Sequence, residues 1–364
     1  MSIIKLPGAI DLHVHLREPS DNKAETIKNG SLSASRGGFS LICDMPNNPG
    51  NPTWSLAKLQ EKQSIAEKDS VITTLFYAGS QPESDNLDEL EGMAKAGAVG
   101  IKLYGAPTTG NDNDYTAKDF EPIIKEWHRV APQKPIMLHA GADNLEELIE
   151  IVTGTYGHHL HVCHVHSTAQ VKLINSYKKQ GRKLSCGVCP HHFLKTSHDT
   201  IGQGWFARMQ PPLPEQSEAK SLLSLLSSGE IDILESDYAP HSVDSKLKAE
   251  SNNPEGIHDS SHTTCFGLPG IEHIMPIMLS LVRKNLLSIE RLIDATHTQP
   301  IEVLGLSFDP EQNYTEWDTS EAQVHKITEQ EILSGTGWSP YVGYIAGGKL
   351  TKLVSGGKTV FEAN

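Results

Sequence analysis

Residues 10–18 read IDLHVHLRE, two histidines and an arginine set into an apolar run. Strand side chains alternate between faces, so His13, His15 and Arg17 are expected on one side and Leu12, Val14 and Leu16 on the other. Three polar groups converging from one strand are costly to bury unless something binds them. Two imidazoles at H-x-H spacing suit a metal ion, and an arginine just beyond them suits an anion. Taken alone, an H-x-H pair is more often a pair of hydrogen-bonded core or surface histidines. It is joined here by His139 in IMLHAG, His164 in HVCHV and Asp237 in ILESDYAPH.

Lys102 in GIKLYG has two readings. In the first it snorkels to the rim or pairs with Asp112 or Asp114. In the second it faces inward among the ligands. A protonated lysine there would repel metal ions and carry a heavy desolvation cost. Its neutral amine could instead take up carbon dioxide, giving a carbamate shaped to bridge two cations.

The elements that must position these residues are short β-prone runs alternating with helix-like stretches. The strands are expected at 9–16, 39–45, 71–78, 100–104, 135–140, 159–165, 183–189 and 231–237. Helices are expected at 54–68, 86–96, 144–153, 167–180 and 217–228, then near 268–285 and 288–304. Eight strand–helix units imply an α/β fold of the closed (β/α)8 TIM-barrel type, with a doubly wound open sheet as the architectural alternative. The candidate residues fall at or just past strand C-terminal ends, where such a barrel builds its active site. Residues 8–305 are expected to form the barrel, and 1–7 with 336–364 a small accessory β element.

The whole chain narrows the chemistry. Its 364 residues carry a net charge of −14 with no basic cluster, which argues against nucleic acid or an anionic membrane surface as partner. No apolar run reaches membrane-spanning length, and the first residues lack signal-peptide architecture, so the expected location is cytoplasmic. Five cysteines without such a signal argue against a disulfide framework. Cys186 and Cys189, a C-x-x-C, lack a second ligand pair and read as ordinary buried cysteines.

The stretches GAIDLHVHLREP, CDMPNN, GIKLY, LHA, HVCHV, PHH, SDYAPH and GLPGIE, between residue 8 and about 272, resemble the amidohydrolase superfamily and within it the dihydroorotases. The resemblance implies two zinc ions per chain. His13 and His15 would hold one, shared with Asp237; His139 and His164 would hold the other. Lys102, as N6-carboxylysine formed from carbon dioxide or bicarbonate, would bridge them. It further implies reversible cyclisation of N-carbamoyl-L-aspartate to L-dihydroorotate in pyrimidine biosynthesis, with Asp237 as catalytic base and then acid.

Arg17, two residues past His15, is placed to grip a substrate carboxylate with a bidentate fork, and Asn47 in DMPNN can donate to the same group. The resemblance adds His241 to this set. It also implies Thr108 and Thr109, in the polar loop GAPTTGNDNDYT, together with Gln210 and Gly267, as substrate contacts. A homodimer and association with aspartate transcarbamoylase are the implied partners. Two alternatives stay open: a hydantoinase- or allantoinase-like cyclic amidohydrolase, and an inactive homologue that scaffolds aspartate transcarbamoylase.

Two positions depart from the family pattern. Tyr238 stands where histidine is usual, which is expected to alter the acid–base surroundings, and Gly187 where many relatives carry glutamate. His161, at an odd offset from His164, is expected on the opposite strand face.

Overall fold

In chain order the strands are β1 (Ile3–Pro7), β2 (Ala9–Val14), β3 (Phe39–Asp44), β4 (Thr73–Phe76), β5 (Ala78–Gly79), β6 (Ile101–Tyr104), β7 (Ile136–His139), β8 (Leu160–Val162), β9 (Leu184–Val188), β10 (Ile233–Leu234), β11 (Tyr314–Asp318), β12 (His325–Lys326), β13 (Ile345–Ala346), β14 (Lys349–Ser355) and β15 (Lys358–Glu362). The structure, a computed structural model, describes residues 3–20, 24–108, 115–139, 141, 143–253 and 265–363.

β2, β3 and β4 pair in parallel, and so do β5 through β10 in sequence order. One stretch joins the two sets: Tyr77 N–H donates to Asp44 O at 3.2 Å and Ala78 N–H to Gly100 O at 3.0 Å. The ring closes where Val14 bridges Tyr238 in parallel and His15 N–H donates to Tyr238 O at 2.7 Å. The result is a closed parallel barrel, as the strand–helix alternation predicts.

Helices cover its outside, among them Leu56–Asp69, Thr168–Lys178 and Gln216–Ser228. Ser55 and Ser167 accept hydrogen bonds from the backbone N–H groups of Lys58 and Gln170, each at 3.3 Å, capping two of these starts. Gly229, at φ 82°, ends the third. Three helices that the sequence reading does not name, Ile27–Arg36, Glu121–Val130 and Val243–Asn252, join them.

The barrel interior is packed rather than hollow. Ile10, Leu12, Leu41, Cys43, Met45, Tyr77, Met137, Cys163 and Ile233 form one apolar cluster beneath the mouth. Leu12 therefore departs from the expectation that placed it outside with Val14 and Leu16, which do pack in the outer core. The cause is a register shift between Asp11 and Val14, a bulge that turns the strand before its alternation is complete.

A second sheet, in the order β1, β11, β14, β15, is antiparallel and unites both ends of the described chain. Its β11 is a strand that the sequence reading leaves unassigned, although buried Thr315 and Trp317 alternate with partly exposed neighbours.

Candidate metal centre and substrate cavity

The bulge in β2 brings His13 and His15 to the barrel mouth. Asp11 Oδ1 seats the turn by accepting the backbone N–H groups of His13 at 3.0 Å and Ser236 at 3.2 Å. His15 Nε2 lies 3.1 Å from Asp237 Oδ1 and 3.2 Å from His13 Nε2, and His13 Nε2 lies 3.4 Å from the same Asp237 oxygen. Across the mouth His139 Nδ1 and His164 Nε2 are 2.9 Å apart. The His164 ring centroid is 5.1 Å from that of His13, so the two pairs form one cluster. Lys102 is fully buried within it, its Nζ 3.1 Å from Cys163 Sγ. The structure thus brings together all six residues expected around a metal pair.

Backbone strain accompanies this convergence. Arg17, His164 and Asp237 have φ of 60°, 39° and 45°, in the left-handed region that non-glycine residues rarely adopt. Such conformations persist where surrounding contacts enforce them. Arg17 reaches the cavity through this turn, past the end of β2, and not by strand alternation.

Burial controls the charge states. It pushes His13 down to about 4 and His15, His139 and His164 well below the ordinary histidine range. Neutral imidazoles are the form that ligates metals. Burial raises Asp237 to about 8, opposed by the positive charge of Lys102. Burial also holds the Cys163 thiol up at about 12. His164 Nδ1 has no hydrogen-bond partner among the described residues. A set of neutral imidazoles and one carboxyl group, packed nitrogen to nitrogen and nitrogen to oxygen, fits divalent metal ions, whose positive charge would draw Asp237 back to the ionised form that ligates and accepts protons.

The cavity above the cluster is lined by the six cluster residues with Arg17, Asn47, Tyr104, Thr108, Gln210, Ala239, Phe266 and Gly267. Arg17 is 2 % exposed, and its Nε and Nη1 have no hydrogen-bond partner among the described residues. Asn47 Oδ1 is 2.8 Å from His15 Nδ1, so the side chain expected to meet a substrate carboxylate also orients a histidine. Gly267, at φ 135°, has no room for a side chain: a Cβ would lie 2.5 Å from Ala239 Cβ and O. Its N–H donates to Arg208 O at 3.3 Å. His241 is buried behind the cavity wall, with Nε2 2.9 Å from Phe266 O. Thr109, Asp112 and Asp114 lie outside the described residues.

Several placements differ from the sequence reading. The Tyr238 hydroxyl is directed away from the cavity, to Glu25 and to Ser334 Oγ at 3.1 Å. The tyrosine therefore does not contribute its phenol to the acid–base surroundings of Asp237. His161 shares its register with Lys102, Met137 and Ser185, and its Nε2 is 3.6 Å from Glu235 Oε2, which in turn is 3.5 Å from His13 Nδ1. The expectation of an opposite face fails because β8 ends at Val162, before the left-handed turn at His164. Glu235 escaped notice, although it sits two residues before Asp237 and could have been found by that spacing. Cys186 is in the outer core and Cys189 lies beside His191 and His192; all are buried, and the five cysteines are unbridged.

Residues 4–309 match the amidohydrolase family. The multifunctional protein pyr1-3 of Dictyostelium discoideum is 31% identical over 99% of this chain, which spans only 15% of that protein. The dihydroorotase of Enterococcus faecalis is 31% identical over 83% of this chain and 73% of its own length. That of Staphylococcus epidermidis is 28% identical over 98% of this chain and 87% of its own. Among solved structures, L-hydantoinase from Arthrobacter aurescens superposes with a TM-score of 0.86 at 24% identity, covering 99% of this chain and 85% of that one. The inactive dihydroorotase-like domain of a Chaetomium thermophilum CAD-like multifunctional protein superposes with a TM-score of 0.75 at 18% identity, covering 99% and 95%. Both likenesses are likenesses of fold. Among the described residues no helix is long and apolar enough to cross a membrane.

Proposed function

This chain belongs to the amidohydrolase family, and from that membership we propose that it is a zinc-dependent dihydroorotase, closing N-carbamoyl-L-aspartate to L-dihydroorotate and reopening it. His13, His15 and Asp237 would hold one metal and His139 and His164 the other, with carboxylated Lys102 between them. When bound, the metal pair supplies Lewis-acid polarisation of the amide carbonyl and a more acidic water.

The chain's own groups carry the rest. In the ring-opening direction Asp237 takes a proton from the attacking water as the carbon–oxygen bond forms. It delivers that proton to the ring nitrogen as the carbon–nitrogen bond breaks. Ring closure runs these steps in reverse and releases water. Arg17 grips the carboxylate that is not consumed, with Asn47 beside it, while Thr108, Gln210 and Gly267 shape the wall; His241 and Thr109 enter this set only through the family resemblance.

The observation that carries this reading is the Arg17 guanidinium, buried in the same cavity as the histidine cluster with two nitrogens lacking a hydrogen-bond partner among the described residues. A substrate carboxylate satisfies it; dihydrouracil and hydantoin bring none. The test is turnover of L-dihydroorotate, dihydrouracil and hydantoin by the zinc-loaded protein. Dihydroorotate should lead in kcat/KM by at least about 100-fold, the scale of a buried charge pair. A lead for either uncharged ring would overturn the assignment in favour of a hydantoinase-like enzyme. Zinc binding without turnover of any of the three would favour a scaffolding homologue. Homodimerisation and association with aspartate transcarbamoylase belong to the same proposal, and sedimentation with and without that enzyme tests them.

A further inference from the structure

β9 and β10 run side by side, with Ile233 level with Gly187 and Leu234 with Val188. Gly187 is not in the left-handed region, so its backbone makes no demand for glycine. Space does. A Cβ at Gly187 would lie 2.6 Å from both Cδ and Oε1 of Glu235, and Glu235 is itself fully buried. A strand glycine of this kind marks a close approach, and what approaches is a carboxylate.

That carboxylate touches both halves of the metal cluster. Its Oε1 accepts the backbone N–H of His164, the residue held at φ 39°. Its Oε2 is 3.5 Å from His13 Nδ1 and 3.6 Å from His161 Nε2. His161 is in turn fixed by Ser185 Oγ, 2.9 Å from its Nδ1. One charge therefore faces the outer nitrogen of a ligand in one pair and clamps the strained backbone of a ligand in the other. Neither 3.5 Å nor 3.6 Å is a hydrogen bond, but a carboxylate this close favours a proton on the outer nitrogen of His13 and so leaves the other nitrogen's lone pair for the metal.

We propose that Glu235 is a positioning residue for both metal sites and that Gly187 exists to admit it, so that the two form one functional unit split across adjacent strands. The inference rests on the metal-binding part of the proposed function. Because 187 and 235 serve the same space, a glutamate placed at 187 should reach it once 235 is cleared.

The experiment compares the intact protein with Glu235→Ala, Glu235→Gln, Gly187→Glu and the combination of Gly187→Glu with Glu235→Ala. Zinc affinity is measured by chelator competition, the visible spectrum with cobalt(II), and the melting temperature of the metal-stripped form. Glu235→Ala should weaken zinc about 10–100-fold and shift the cobalt bands. Glu235→Gln should fall between it and the parent. Gly187→Glu alone should lose metal affinity, and the combination should bind zinc more tightly than either single variant and return the cobalt spectrum toward the parent's. Equal melting losses with unchanged zinc affinity and spectrum would overturn the inference, leaving Glu235 a structural group and the metal centre intact. A combination no better than Glu235→Ala would overturn the pairing with Gly187. An intact protein that binds neither zinc nor cobalt would overturn this inference together with the reading beneath it.

Discussion

Tyr238 donates its hydroxyl hydrogen bond to Glu25, outside the cavity, although its chain neighbour Asp237 is at the centre of the histidine cluster. Glu25 also accepts the Ser334 hydroxyl at 3.2 Å and Gly335 N–H at 3.0 Å, so the tyrosine ties the last barrel strand's end to the segment ahead of β13. Tyr238→Phe should cost about 1.5–3 kcal/mol of stability, the value of a hydrogen bond to a buried charged group. Turnover of dihydroorotate should stay within about threefold of the parent, well under 1 kcal/mol of barrier. Thermal unfolding and steady-state kinetics on the same preparation check both halves.

The same network sets a pH dependence. Burial raises Glu25 above its ordinary 4.5, so the folded form holds the proton more tightly than the unfolded one. Its contribution to stability is complete below 4.5 and is lost as pH rises through the raised value. Glu25→Gln removes this term. The difference in melting temperature, parent minus variant, should therefore fall as pH is raised from about 4 to 7; a flat or rising difference contradicts the assignment.

Lys102→Gln keeps a polar side chain and cannot be carboxylated. Zinc per chain should drop, and turnover should fall by more than about 100-fold. Metal analysis beside kinetics distinguishes loss of the bridge from a simple fold defect, which the far-ultraviolet spectrum would report.

Arg17→Gln should act on substrate choice. The kcat/KM for dihydroorotate should drop by about 2–5 kcal/mol in transition-state terms, while the rate with dihydrouracil changes little. Equal losses on both substrates would place Arg17 in the structure of the mouth and not in carboxylate recognition.

Asp237→Asn should lower kcat by about 100- to 10,000-fold, the range for a positioned acid–base group. Asp237 also faces His13, His15 and the Arg17 charge, so zinc per chain is measured on the same preparation, and the acid–base assignment requires kcat to fall in variant protein that still holds its zinc.

Much of this was readable from one sequence because the polar residues interrupt apolar strands at their C-terminal ends, and a parallel barrel gathers such ends at one rim. That rule put His13, His139, His164 and Asp237 at one rim, while Lys102 kept two readings by spacing alone, and the structure places it among them. The failures share a cause. Strand alternation is exact only while the strand is regular, and this rim is where regularity stops. The shift between Asp11 and Val14 sent Leu12 inward, and the turn at His164 hid the inward face of His161. The i, i+2 spacing to Asp237 pointed to Glu235, but its pairing with Gly187 is an absence that only the structure shows. His241 and the direction of the Tyr238 phenol depend on loop paths that no periodicity encodes.

The sheet that unites both ends of the described chain sets an order of assembly. β1 pairs with β11, whose residues leave the ribosome roughly 300 positions later, on the order of tens of seconds at ordinary synthesis rates. During that interval β1 has an unsatisfied edge, and β2, directly after it, waits for the barrel's last strand before it can close the ring. The nascent chain therefore presents an adhesive strand next to the histidines of the proposed metal centre until β11 has been made. Recombinant yield should respond to slower synthesis or to chaperones that shield this first segment, and less to changes in the barrel's middle strands.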